Sequence, residues 1–139
     1  MNTVANSPLE LAELELVEIW SKNDQSERAR FTYAINADTG SQTSAVAYVE
    51  IAPGGAIPRH FDSAGEIDVV LAGVVEIERD DVALTARAGT MFQFPAGTRH
   101  KIANSSDETA RLAVFFDQPS HRVTFDEPLM PMDDTVLGD

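Results

Sequence analysis

Apolar residues recur at every second position along most of this chain. In residues 29–35, Ala29, Phe31, Tyr33 and Ile35 alternate with polar or small neighbours, and in residues 44–51, Ala45, Ala47, Val49 and Ile51 share one face. A period of two is the spacing of a half-buried β-strand. Ala52-Pro53-Gly54-Gly55 punctuates the pattern. Further strands are predicted over 66–73 and 74–80, joined through Ala72 and Gly73, and over 82–89 after a turn at Asp80-Asp81. Residues 90–97 end in a Pro/Gly corner, and 99–104 and 108–116 are two more strands separated by Asn104-Ser105-Ser106-Asp107. Eight or nine short strands, punctuated every eight to ten residues, predict an all-β antiparallel sandwich or barrel. No helical pattern of useful length lies between them, which argues against an α/β fold.

The two ends read differently. Residues 1–8 are polar and expected to be loose, and 21–28 form a loop. Between them, Leu11, Leu14 and Val17 suit one face of a helix, whereas the Leu/Glu alternation through Leu14, Leu16 and Ile19 suits a strand. The strand reading is favoured for 14–20. The tail, 118–139, carries three prolines together with Met130 and Met132 and ends polar. It is expected as a surface arm, with packing across a partner subunit or over the mouth of a barrel as the alternative. The chain therefore divides into an N-terminal arm and strand (1–28), a barrel (29–118) and a C-terminal arm (119–139), within one domain by size.

Composition narrows the functions. A 43% hydrophobic share suits a globular protein with a core. The 10 Lys and Arg against 23 Asp and Glu, formally −13, are scattered singly, so neither nucleic acid nor an anionic membrane surface is an expected partner. The chain has no cysteine, which removes disulfides, thiolate metal sites and cysteine nucleophiles. The first residues lack a basic and apolar leader, and no apolar run approaches membrane-spanning length, so a cytoplasmic location is expected.

Chemistry concentrates in Arg59-His60-Phe61-Asp62-Ser63-Ala64-Gly65-Glu66 and in the stretch around His100. On a strand His60 and Asp62 project from one face, about 7 Å apart along the backbone. The small Ser-Ala-Gly segment lets the chain bend, so that Glu66 returns toward the same centre. His60, Glu66 and His100 would make a two-histidine, one-carboxylate set with open positions, and Asp62 would add a second carboxylate. Such donors suit one divalent transition metal, most readily Fe, Mn or Zn, with Ni or Co also possible. Asp68 shares the strand parity of Glu66, so it too should point inward, where burial would raise its pKa and suit proton transfer. A bulge that turns it outward is the plain alternative.

These residues resemble the two motifs of the cupin superfamily. The first motif, G-x5-H-x-H-x3–4-E-x6-G, is matched by Gly54, His60, Glu66 and Gly73, with Asp62 in place of the second histidine. The second, G-x5-P-x-G-x2-H-x3-N, is matched by Gly89, Pro95, Gly97, His100 and Asn104. The 15 residues between the motifs are the short connection of a single-domain cupin. The resemblance spans roughly 43–116 and implies a jelly-roll barrel with N- and C-terminal arms around one metal. It also implies a homodimer. His60, Glu66 and His100 carry over as ligands, and Asp62 by position only. The superfamily includes dioxygenases, isomerases, cyclases, decarboxylases, lyases and non-catalytic binders, so the motifs speak to fold more than to reaction. The expectation is a metalloenzyme for a small organic molecule, working by proton transfer or dioxygenation with Asp62 or Asp68 as base; a non-catalytic binding or sensing module is the alternative.

The remaining residues have plainer expectations. Arg59 and Arg99 precede the two histidines and should face solvent by strand alternation, with carboxylate binding a lesser alternative. Phe31, Tyr33, Phe92, Phe94, Phe115 and Phe116 are expected in the core. Either Gln93 or its two phenylalanine neighbours line the interior. His121, in the tail, is expected at the surface.

Overall fold

A computed structural model describes residues 8–138. Its strands are β1 (Val17–Ser21), β2 (Arg28–Ile35), β3 (Ala45–Ile51), β4 (Ala56–Asp62), β5 (Glu66–Ala72) and β6 (Val74–Arg79). They continue with β7 (Val82–Arg87), β8 (Met91–Phe94), β9 (His100–Ala103), β10 (Ala110–Phe116), β11 (Arg122–Met130) and β12 (Asp134–Gly138). Single 3-10 turns at Leu11–Glu13 and Ala37–Thr39 are the helical elements among the described residues, and no helix is long and apolar enough to cross a membrane.

All strand pairs are antiparallel, in the order β7-β6-β9-β4-β11-β1-β2-β3-β10-β5-β8, with β12 on β11. The sheet curls into a nearly closed jelly-roll barrel. Alternation decides what enters it. In β10, Ala110, Leu112, Val114 and Phe116 are buried while the residues between them are partly or fully exposed. The same rule in β4 turns Ala56, Pro58, His60 and Asp62 inward, and in β5 Glu66, Asp68 and Val70. Polar site residues thus ride on the parity that otherwise carries the apolar core.

Residues 1–7, expected to be loose, lie outside the described residues, and the terminal segments that are described depart from expectation. Leu11 and Leu14 belong to a 3-10 turn and its cap, and the first strand starts only at Val17. The tail expected as a surface arm supplies a nine-residue strand, β11, lying between β4 and β1 in the sheet. Val123 and Phe125 on it are buried, and Phe125 stands opposite His60. Pro128 is accommodated within the strand; its carbonyl accepts the backbone N–H of Lys22 at 2.9 Å.

Gly73, between β5 and β6, adopts φ +80° against β10. A Cβ there would meet the Ala110 Cα and the Thr109 oxygen at 2.9 Å each, so conformation and space both demand glycine. Gly54 has a similar φ of +83° but open space where a Cβ would go. Gly54→Ala should therefore lose only about 1–2 kcal/mol, the left-handed backbone penalty. Gly73→Ala should lose more than this, because β10 must also move. Urea denaturation of the two variants measures the difference; equal losses would contradict the packing argument.

Candidate metal centre

Three strands and one turn build the site. β4 carries His60 and Asp62, β5 opens with Glu66 and continues to Asp68, and β9 opens with His100. The Pro95–Gly97 corner is tied to the first motif directly, since the Gly97 N–H donates to the Asp62 carbonyl at 2.8 Å. Asn104 fixes the other end. Its buried side-chain amide donates to the Ile51 and Glu108 carbonyls, both at 2.8 Å, and its backbone pairs with Gly54 and Gly55.

Each site histidine is oriented by the chain two residues before it. His60 Nδ1 lies 2.7 Å from the Pro58 carbonyl and His100 Nδ1 lies 2.8 Å from the Thr98 carbonyl. A carbonyl only accepts, so both Nδ1 atoms carry a proton, and in the neutral ring the lone pair is then on Nε2. Packing holds the rings as well. His100 stacks on Phe94 with centroids 3.8 Å apart, and His60 lies 5.0 Å from Phe125 and 4.3 Å from His100.

The donor atoms converge. One each from His60, Asp62, Glu66 and His100 lie within 4.8 Å of one another, and all four residues are buried. Asp62 Oδ2 is 3.6 Å from His60 Nε2 and 3.9 Å from His100 Nε2, and Glu66 Oε1 is 3.5 Å from His100 Nε2. These gaps exceed hydrogen-bond distances, or reach their limit, yet sit close to the ~3.4 Å between donors of a tetrahedral ion with ~2.1 Å bonds. Asp62 Oδ2, Glu66 Oε1, His100 Nε2 and both oxygens of Asp68 are buried with no hydrogen-bond partner among the described residues. Buried polar atoms ordinarily have partners, so this cluster of lone pairs fits a bound cation.

Electrostatics lead to the same conclusion. Burial, reinforced by His100, lowers the His60 pKa to about 4, so the ring is neutral and able to ligate. Burial and the Glu66 charge raise Asp62 to about 10, and the same two causes push Asp68 well above the carboxylate range. Glu66 goes the other way: burial pushes it up, but Asp68, His100 and Asp62, at the limit of hydrogen-bond reach, outweigh that and hold it low. One ionised carboxylate between two protonated ones is what like-charge crowding requires in the absence of a cation.

His121 was expected at the surface, and the structure places it inside. It is 8% exposed, stacks on Phe116 with centroids 4.0 Å apart, and puts Nε2 at 3.6 Å from Asp62 Oδ1 and 3.2 Å from the Tyr33 hydroxyl. Asp62 therefore spans two neighbourhoods, Oδ2 toward the histidine pair and Oδ1 toward His121. The alternation His121, Val123, Phe125 was the available signal, obscured by the prolines on either side. Phe94 and Phe116 are buried and Phe31, Tyr33 and Phe92 partly so, whereas Phe115 is 42% exposed and lies outside the core. Gln93 is exposed, so its phenylalanine neighbours form the inner set. Arg59 and Arg99 lie on the outer wall, both against Asp126.

A barrel with a buried histidine and carboxylate cluster on its inner wall defines the class. Residues 47–116 match the cupin domain family, and the chain belongs to that family. No curated protein matches the sequence. Among solved structures, the polyketide cyclase RemF from Streptomyces resistomycificus is 19% identical, with TM-score 0.67, covering 81% of this chain and 79% of that one. A sugar phosphate isomerase from Silicibacter pomeroyi is 19% identical, with TM-score 0.66, covering 88% and 83%. A Lactobacillus farciminis oxalate decarboxylase, solved as a formate complex, is 25% identical, with TM-score 0.60, covering 66% of this chain and 29% of the other.

A cation that binds the folded cluster should stabilise the protein, by about 2.7 kcal/mol at a hundredfold excess over Kd. Adding Mn(II), Fe(II) or Zn(II) to chelator-treated protein should raise Tm. His100→Ala should abolish the rise, which differential scanning calorimetry reads directly. An unchanged Tm in the wild type would contradict the fit.

Proposed function

We propose that this cupin is a divalent-metal-dependent enzyme that carries out proton-transfer chemistry on a small organic molecule. The observation that carries the reading is the set of buried, unpartnered donor atoms from Asp62, Glu66 and His100 beside His60. It is supported by position, since His60, Asp62 and Glu66 also line a cavity inside the barrel. His60, Glu66, His100 and Asp62, through Oδ2, would hold the ion, with Fe, Mn or Zn favoured by the mixed imidazole and carboxylate set. When bound, it would supply Lewis-acid polarisation of a substrate oxygen.

The chain's own groups divide the remaining work. The Pro58 and Thr98 carbonyls keep the two imidazoles in one tautomer. Asp62 Oδ1, facing His121, is the oxygen that holds or passes a proton at the cavity wall. Asp68 has no exposed surface and is not among the cavity-lining residues, so it acts through Glu66, carrying a proton behind the ligand. The apolar barrel wall excludes water around these groups. The structural neighbours bear names spanning isomerase, cyclase and decarboxylase, so their shared barrel supports a small-molecule site and leaves the reaction to the residues.

The test is turnover in deuterium oxide, using chelator-treated protein reloaded with each metal and a panel of small ketones and hydroxyarenes. Solvent deuterium should enter a substrate only in loaded protein, without oxygen uptake. Asp62→Asn, which keeps three of the four donors, should slow incorporation by about 10²–10⁴-fold. Oxygen uptake matching substrate loss would overturn proton transfer in favour of dioxygenation. Metal binding without any turnover would favour a binding module.

A further inference from the structure

The cavity wall carries information about what the site accepts. Apart from His60, Asp62, Glu66 and the Tyr33 hydroxyl, its lining is apolar, including Phe31, Val49, Val114, Phe116 and Phe125. Neither lysine nor arginine lines it among the described residues. The two arginines adjacent in sequence to the site histidines, Arg59 and Arg99, are turned to the outer wall and engaged by Asp126. The acidic groups on the inner wall, Asp62 and Glu66, have Asp68 buried behind them. A divalent ion would balance two ionised carboxylates and leave no positive surplus for an anionic ligand. A phosphate or second carboxylate carried deep into this barrel would lose its hydration and gain no cationic side chain in return.

The aromatic geometry is equally selective. Phe31 meets Tyr33 edge to face, with centroids 5.6 Å apart and planes at 87°, and Tyr33 tilts against Phe116 at 6.1 Å. Such edges and faces suit a flat ring. Ala29 and Ala47 are also in the lining, and their short side chains leave room beside the rings. The polar groups, Tyr33 included, offer an anchor for a ring oxygen.

The geometry points to a neutral, largely apolar, ring-bearing substrate with a hydroxyl or keto oxygen directed at His60, Asp62 and Glu66, and against phosphorylated sugars and carboxylates. This deepens the proposed function and rests on it for the direction of the oxygen, while the lining stands without it.

Isothermal titration calorimetry with 1-naphthol, 1-naphthoate and glucose 6-phosphate, on metal-loaded and metal-stripped protein, tests it. Naphthol should bind both forms at least tenfold tighter than naphthoate, and glucose 6-phosphate should not bind. Ala47→Phe, which fills the cavity, should weaken naphthol at least tenfold. Intermolecular NOEs from naphthol to the Val49 and Val114 methyls of the wild type should locate the ring even if that variant does not fold. Tighter binding of naphthoate or glucose 6-phosphate, or NOEs confined to the outer surface, would overturn the substrate class. The two readings fail separately. Naphthol in the barrel of a protein that takes up no metal removes the metal-dependent function and keeps the substrate class, whereas metal uptake with a preference for anions does the reverse.

Discussion

The structure turns on one electrostatic constraint: three carboxyl groups and the imidazoles of His60, His100 and His121 share the interior of a barrel lined mostly by apolar side chains. Unit charges of like sign 4 Å apart repel by about 4 kcal/mol even at an effective dielectric near 20. Glu66 ionised beside raised Asp62 and Asp68 is one resolution, and it leaves both oxygens of Asp68 without partners. A divalent cation is the other, because it balances two carboxylates and uses the stranded lone pairs of Asp62, Glu66 and His100 together. The imidazoles are prepared for that arrangement. In the neutral ring of His60 or His100 the lone pair falls on the inward nitrogen, because a carbonyl two residues upstream claims the outward N–H.

The barrel makes this clustering possible with little irregular backbone. Residues far apart in sequence meet because β4 lies beside β9, with His60 opposite His100 in register. The Gly97 to Asp62 hydrogen bond fastens the second motif's corner onto the end of the first, and Asn104 does the same for Gly54 and Gly55. The turn residues of the two motifs are thus positional, and the candidate ligands are side chains on strands. On the far side of the cluster, Phe31, Val49 and Val114 line the apolar chamber. The protein therefore joins an acidic wall to an apolar chamber, the asymmetry on which the proposed proton transfer and ligand choice rest.

Much of this was legible in the chain. Alternation in residues 29–35 and 44–51 marks β2 and β3, and the motif spacing marks the barrel and the His60, Glu66, His100 set. The inward direction of Asp68 followed from parity alone. What stayed hidden has physical causes. β11 contains Pro128 and is followed by Pro131, which disguise a strand paired with β4 and β1. His121 was hidden with it, and so was the second neighbourhood of Asp62. Phe115 looked like core by residue type, but its parity opposes that of Val114 and Phe116. That neither lysine nor arginine lines the chamber among the described residues could not be read from composition, because Arg59 and Arg99 are near in sequence and remote in direction.

The account stands or falls on the occupant of the cluster. A crystal of the protein grown with Mn(II) or Zn(II), measured on both sides of the metal absorption edge, addresses it directly. The account predicts one strong anomalous peak per chain, with His60 Nε2, His100 Nε2, Glu66 and Asp62 Oδ2 about 2.0–2.3 Å away. A peak that lies elsewhere, or no peak within the barrel, would contradict it.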